Sequence, residues 1–139
     1  LLGCFREGTA LLERLDEEGG RLKERVLVVD FNPALRQKLE RRGYKWVYGD
    51  LAHPQTLHHI GIEEASVVIC SISDTFLKGT TNHKMLAHLK HLAPKAKMVM
   101  TADDPAGAAK LVKEGAAHAV DAGSLSGERL FDILKESVS

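Results

Sequence analysis

Short apolar runs alternate with amphipathic stretches along the whole chain. This alternation is typical of a parallel β-sheet that is covered by helices on both faces. The strand candidates are the apolar runs at residues 1–2, 26–29, 46–48, 67–71, 98–101 and 119–120. Some of these runs are continuously apolar, as expected for strands that are buried on both faces. The pattern therefore predicts an α/β fold in a single domain, residues 1–139, with a doubly wound parallel sheet of about six strands.

The segments between the strands carry the signals of helix ends. Asn32 precedes Pro33, and Asp103 or Asp104 stands before Pro105, which predicts two capped helix starts with proline in the first turn. Glycines follow three helical segments, where a left-handed residue ends a helix. These glycines are Gly43, Gly61 and Gly115.

The two ends of the chain have distinct predicted structures. The apolar run before Gly3 is too short for a typical strand, so we expect a truncated first strand with further residues upstream. At the other end, residues 127–138 place apolar side chains at helical spacing after Ser126, the expected N-cap. These side chains are Leu130, Phe131, Leu134 and Val138. Because this stripe follows the last strand, we expect a crossover helix that packs against a partner subunit.

Composition and charge exclude several classes of function. The chain has 19 Lys and Arg against 19 Asp and Glu, so no net charge attracts it to nucleic acid or to an anionic membrane. No apolar run approaches the roughly 18 residues of a membrane span, so we expect no direct membrane insertion. Cys4 and Cys70 cannot build a disulfide framework, and the histidines lack the spacing of a zinc site. We therefore predict no nucleic-acid partner and no metal.

The first loop has the position of a phosphate-binding loop. Gly3, Cys4, Phe5, Arg6, Glu7 and Gly8 lie between the first apolar run and a helix, as in a Rossmann-like fold. Gly3 allows a tight turn and Gly8 allows the helix to pack closely on the strand. Phe5 stands where a glycine normally lets the backbone approach a pyrophosphate. The same residues also fit an unliganded turn between strand and helix.

Polar residues follow three neighbouring strands at the edge where ligands bind in open α/β sheets. Asp30 ends the second strand about 20 residues after Gly8, the spacing of an acid that binds a ribose. Phe31 and Asn32 follow it where an arginine would hold a 2′-phosphate, so NADP is disfavoured. Alternatively, Asp30 only starts the turn into the next helix.

The next two strands end in further candidate residues, which are Gly49, Asp50, Leu51, Ser71 and Ser73. Asp50 can accept a hydrogen bond from an adenine amino group, or it can cap the short helix near Pro54. The sequence pairs no nucleophile with a base, so we predict no catalytic residue and no enzyme activity.

An ordered set of motifs resembles the regulator of potassium conductance (RCK) or TrkA-N nucleotide-binding domain. The set comprises Val-Leu-Val-Val-Asp-Phe-Asn-Pro at residues 26–33, Gly-Tyr at residues 43–44, Tyr-Gly-Asp at residues 48–50, Ile-Glu-Glu-Ala at residues 62–65 and Gly-Ala-Ala-His-Ala-Val at residues 115–120. More narrowly, it is similar to the cytoplasmic domain of Kef-type cation/proton antiporters. The resemblance covers nearly the whole chain. It departs from the family at Phe5 and at Leu51-Ala52.

The resemblance implies a cytoplasmic regulatory domain, attached on its N-terminal side to a bacterial inner-membrane transport protein. Such a domain forms a homodimer through its C-terminal helix and gates potassium/proton antiport when an adenine nucleotide binds. By this resemblance Gly3, Arg6 and Gly8 hold phosphate, Asp30 binds ribose and Asp50 lies beside adenine.

The identity of the ligand stays open between AMP and NAD(H). A single phosphate at a helix N-terminus needs less backbone approach than a pyrophosphate, which makes AMP a candidate despite Phe5. Two other functions also remain open: the nucleotide-binding half of an NAD-dependent oxidoreductase, and a dimerisation module whose site is degenerate.

Overall fold

The computed structural model describes the backbone of residues 1–139 and every side chain except that of residue 54. Its five strands are β1 (Leu27–Asp30), β2 (Lys45–Tyr48), β3 (Val67–Cys70), β4 (Lys97–Ala102) and β5 (His118–Asp121). β1 pairs with β2, and β4 lies between β3 and β5. All three pairings are parallel, so the predicted parallel α/β architecture is confirmed.

Leu2 connects the two groups of strands. It forms a parallel bridge to Val29 of β1 and another to Cys70 of β3. The Leu2 amide donates to the Ile69 carbonyl at 2.7 Å, and the Ser71 amide donates to the Leu2 carbonyl at 3.0 Å. The resulting order is β2-β1-Leu2-β3-β4-β5.

The prediction of about six strands is wrong by one, because the first apolar run forms a bridge and not a strand. Gly3 has φ of 77° and turns the chain away from the sheet immediately after Leu2. Too few residues therefore remain between β1 and β3 to make a full strand.

Six α-helices and three short 3-10 helices connect the strands. The α-helices are α1 (Arg6–Glu18), α2 (Arg21–Glu24), α3 (Ala34–Arg41), α4 (Asn82–Leu92), α5 (Pro105–Lys113) and α6 (Ala122–Val138). The 3-10 helices are Pro54–Ile60, Ile62–Glu64 and Asp74–Phe76. Asp104 caps α5 by accepting a hydrogen bond from the Gly107 amide at 2.6 Å, as predicted. The predicted terminal glycines Gly43, Gly61 and Gly115 all have positive φ.

Two apolar clusters cover opposite faces of the sheet. Val28 packs with Leu12 of α1 and Leu39 of α3, whereas Val29 belongs to the larger cluster that includes Leu86 of α4 and Leu111 of α5. Successive residues of a strand point to opposite faces, so this division shows helices on both sides. The doubly wound arrangement places the carboxyl ends of β1, β3 and β4 at one edge.

α6 starts earlier than the sequence indicated. It begins at Ala122, not at Gly127, and Asp121 caps it by accepting from the Ser124 amide at 2.8 Å, so Ser126 is not the N-cap. The carboxylate at the end of β5 lets the helix follow the strand directly. No α6 residue is buried, and the stripe of Leu130, Phe131, Leu134 and Val138 is exposed. Among the described residues, no helix combines the length and apolarity of a membrane span.

Candidate functional site

The glycine loop, residues 3–8, lies at the carboxyl ends of β1 and β3. A Cβ atom at Gly3 would overlap the Ile72 side chain, and Gly3 also has a positive φ. A Cβ atom at Gly8 would stand 2.6 Å from the Ser71 Oγ and 2.9 Å from the Gly3 carbonyl oxygen. The two glycines therefore permit the tight turn and the close approach of α1 that the sequence indicated.

Asp30 holds this loop against the end of β1. Its Oδ2 accepts a hydrogen bond from the Cys4 amide at 2.7 Å, and its Oδ1 accepts one from the Asn32 amide at 2.8 Å. Asp30 is only 3% exposed, yet each carboxylate oxygen has a second lone pair free for another donor. The carboxylate is thus a fixed acceptor at the base of the loop.

Ser71 supports the same loop from β3. Its side chain is buried, and its hydroxyl donates to the Gly3 carbonyl at 2.6 Å. This candidate binding residue therefore lies beneath the loop and positions it. Gly3, Cys4, Gly8, Asp30 and Ser71 form one packed and hydrogen-bonded unit.

The N-terminus of α1 faces out of this unit. Phe5 is the N-cap residue and its side chain provides no capping hydrogen bond. The first amides of a helix have no partner within the helix, and they attract an anion together with the helix dipole. Arg6, which is exposed, pairs with Glu7 at 2.8 Å.

A second feature is a pair of aromatic rings. The Phe5 ring stacks on the Phe76 ring, with a centroid distance of 5.2 Å and an interplanar angle of 24°. The pair lines a cleft of about 420 Å³, here named the aromatic cleft. It is lined by Phe5, Arg6, Glu7, Ser73, Phe76, Thr101, Ala102, Asp103, Ala122 and Gly123. Within it, the Ser73 hydroxyl donates to Asp103 at 2.6 Å.

Gly49, Asp50 and Leu51 are built into the loop after β2. A Cβ atom at Gly49 would overlap the Val29 side chain, and Leu51 is buried in the larger core cluster. Asp50 Oδ1 accepts from the Ala52 amide at 2.9 Å, and Oδ2 lies 2.8 Å from the His53 Nδ1. The hydrogen bond to His53 lowers the pKa of Asp50. Asp50 is only partly buried and keeps its carboxylate at the sheet edge.

The two candidates that follow Asp30 have different environments. Phe31 is 55% exposed, and Asn32 starts α3 because its Oδ1 accepts from the Ala34 amide at 3.0 Å. Among the described residues, no three His, Cys, Asp or Glu side chains are grouped to hold a metal ion.

The geometry agrees with the comparison to known families. The model of the TrkA-N domain family matches residues 1–122, most of the chain. The chain belongs to the TrkA-N domain family. The resemblance to RCK and TrkA-N domains drawn from the motifs at residues 26–33 and 48–50 is therefore confirmed.

Solved structures show the same fold. The TrkA-N domain of the inner membrane protein YbaL from Escherichia coli is 19% identical, with a TM-score of 0.77 over 96% of this chain and 93% of that chain. The NAD(P)-binding domain of an exopolyphosphatase-related protein from Archaeoglobus fulgidus is 21% identical, with a TM-score of 0.75 over 98% and 96%. The GsuK channel bound to NAD is 21% identical, with a TM-score of 0.65 over 86% of this chain and 20% of that chain. A comparison with curated proteins found no match.

Sequence reasoning missed six of the ten residues that line the aromatic cleft in this TrkA-N domain. Phe76, Thr101, Asp103 and the first turn of α6 were not among the candidate residues, although they line the cleft. Asp103 follows β4 at the same sheet edge as the predicted acids, and this position in the sequence could have identified it as a candidate. Phe76 follows β3 in a 3-10 helix that no periodic pattern indicated.

Proposed function

We propose that this TrkA-N domain is a regulatory domain that binds an adenine nucleotide, AMP or NAD(H), and that it is not an enzyme. The observation that carries this proposal is the 2.7 Å hydrogen bond from the Cys4 amide to Asp30. This bond joins the helix N-terminus, which attracts phosphate, to the acid that binds a ribose. Both parts of a nucleotide therefore have a partner within one fixed unit.

The nucleotide would lie along the carboxyl edge of the sheet. The phosphate would receive hydrogen bonds from the amides at the start of α1, with Arg6 adding a charge-assisted bond once it leaves Glu7. The ribose hydroxyls would donate to the free lone pairs of Asp30. The adenine would extend toward Asp50, which stays at that edge.

The wider role is regulation of a membrane transport protein. YbaL is described as an inner membrane protein, and the GsuK channel has been solved with NAD and with ADP. By analogy, we place this domain on the cytoplasmic side of a bacterial inner-membrane potassium transporter, attached upstream to the membrane part and gating potassium/proton antiport.

The coupling between nucleotide and transporter requires two arrangements of the domain with different nucleotide affinities. α6 supplies the surface for this, since its exposed apolar stripe fits a second copy of the same helix in a homodimer. The first turn of α6, Ala122 and Gly123, lines the aromatic cleft. A nucleotide that shifts residues at this sheet edge would therefore also shift the start of α6.

The proposal is tested by unfolding the domain in the presence of AMP, NAD or NADH. A nucleotide at 100 times its dissociation constant should raise the free energy of unfolding by about 2.7 kcal/mol. Asp30→Asn should reduce this gain because it replaces one of the two acceptor oxygens with an NH2 group, which cannot accept a hydrogen bond from a ribose hydroxyl. Lys113→Ala, on the far end of α5, is the control that should keep the gain. If no nucleotide stabilises the wild-type domain, it is a dimerisation module with an empty site.

A further inference from the structure

The stacked pair Phe5 and Phe76 lines the aromatic cleft at the carboxyl edge of the sheet, whereas Asp30 is not among the residues that line this cleft. We infer that this pair is a specificity determinant, which admits a nucleotide with one phosphate and excludes a dinucleotide. The inference rests on the nucleotide-binding function proposed above.

The first reason is steric. Phe5 occupies the position at which a glycine lets the backbone approach a pyrophosphate. Its ring is partly buried against the larger core cluster and also stacks on Phe76, so two contacts hold it in place. A dinucleotide would bring its pyrophosphate against this ring, and making room for the pyrophosphate would break both contacts.

The second reason is the charge of the cleft. Glu7 and Asp103 both line it, and the only cation that lines it, Arg6, is already paired with Glu7 at 2.8 Å. A second phosphate group would therefore approach two carboxylates with one cation shared between them. At separations of about 4 Å, like charges near a protein surface repel each other by several times the thermal energy.

The remaining half of the site suits a mononucleotide. A single phosphate at the start of α1 needs only the helix amides. A ribose needs only Asp30, whose two oxygens each keep one free lone pair. Neither contact requires the Phe5 ring to move.

The test is isothermal titration of the wild-type domain with AMP and with NAD, read as the ratio of the two dissociation constants. We expect AMP to bind at least about tenfold more tightly than NAD. Phe5→Gly should reduce this ratio by improving NAD binding. Phe76→Ala should act in the same direction, and it leaves the fold intact because Phe76 is 63% exposed. Val112→Ala, exposed on α5 outside the cleft, is the control and should keep the wild-type ratio.

The outcomes separate the inference from the proposed function. If NAD binds the wild-type domain as tightly as AMP, nucleotide binding stands and the role of the Phe5–Phe76 pair is overturned. If the ratio is the same in wild type, Phe5→Gly and Phe76→Ala, the pair again has no such role. If neither nucleotide binds any variant, the proposed function fails and this inference fails with it.

Discussion

Gly8 in α1 lies against Ser71 at the end of β3, so closely that a Cβ atom at position 8 would come within 2.6 Å of the Ser71 Oγ. The same Cβ atom would stand 2.9 Å from the Gly3 carbonyl oxygen, which cannot rotate away as a side chain could. The distance between α1 and the sheet is therefore set by the absence of a side chain at one residue.

Gly8→Ala should accordingly destabilise the domain. Overpacking of this kind costs about 1–3 kcal/mol, which urea unfolding will measure. Gly127→Ala in α6 is the matched control, because nothing lies within 4 Å of the added methyl group. Alanine there should increase helix stability by up to about 1 kcal/mol. Equal effects of the two substitutions would contradict the packing argument.

Tyr44 links α1 to β2 and predicts a change in acid stability. Its hydroxyl lies 2.9 Å from both the Leu12 carbonyl and Asp16, and burial raises the pKa of Tyr44 to about 12. The pKa of Asp16 is lowered, first by its hydrogen bond from Lys23 and then also by those from Tyr44 and Arg42. A carboxylate with a lowered pKa stabilises the fold above its ordinary pKa, and this contribution is lost as the pH falls.

Tyr44→Phe should therefore cost about 1 kcal/mol at neutral pH and weaken the dependence of stability on pH below about pH 5. Urea unfolding across the acid range measures both effects. Tyr48→Phe is the control, since Tyr48 is 58% exposed and lies at the opposite end of β2 from Tyr44. If the stability of Tyr44→Phe depends on acid pH as in wild type, the hydrogen bonds from Lys23 and Arg42 are sufficient to lower the pKa of Asp16.

The exposed stripe of α6 predicts dimerisation. Leu134→Glu should shift the domain from dimer to monomer in sedimentation, because it places a charge in the middle of the apolar face. Its melting temperature at low protein concentration should change little, since Leu134 is 57% exposed in the single chain. Arg129→Gln changes the net charge equally on the opposite face and should leave the dimer intact. If the wild-type domain sediments as a monomer, the prediction that α6 forms a dimer interface is wrong.

Local patterns in the sequence determined the architecture. Continuous apolar runs at residues 26–29 and 67–71 predicted strands, and Gly43 and Gly115 predicted the helix ends, because these properties depend mainly on neighbouring residues. The predicted burial on both faces is wrong for the second of these strands, in which Val67 is exposed. The position of Asp30 at the sheet edge followed from the rule that parallel strands end together. The backbone of the candidate site could therefore be predicted before any contact was known.

The direction of each side chain at that edge was decided only by the tertiary structure. Ser71 turns inward to the Gly3 carbonyl, and Phe5 stacks on Phe76, which lies far away in the sequence. Whether a side chain binds a ligand or supports a loop depends on which distant atoms surround it, and periodicity carries no information about them. The sequence thus located the edge where a nucleotide would bind, and only packing between distant segments decided which side chains face it.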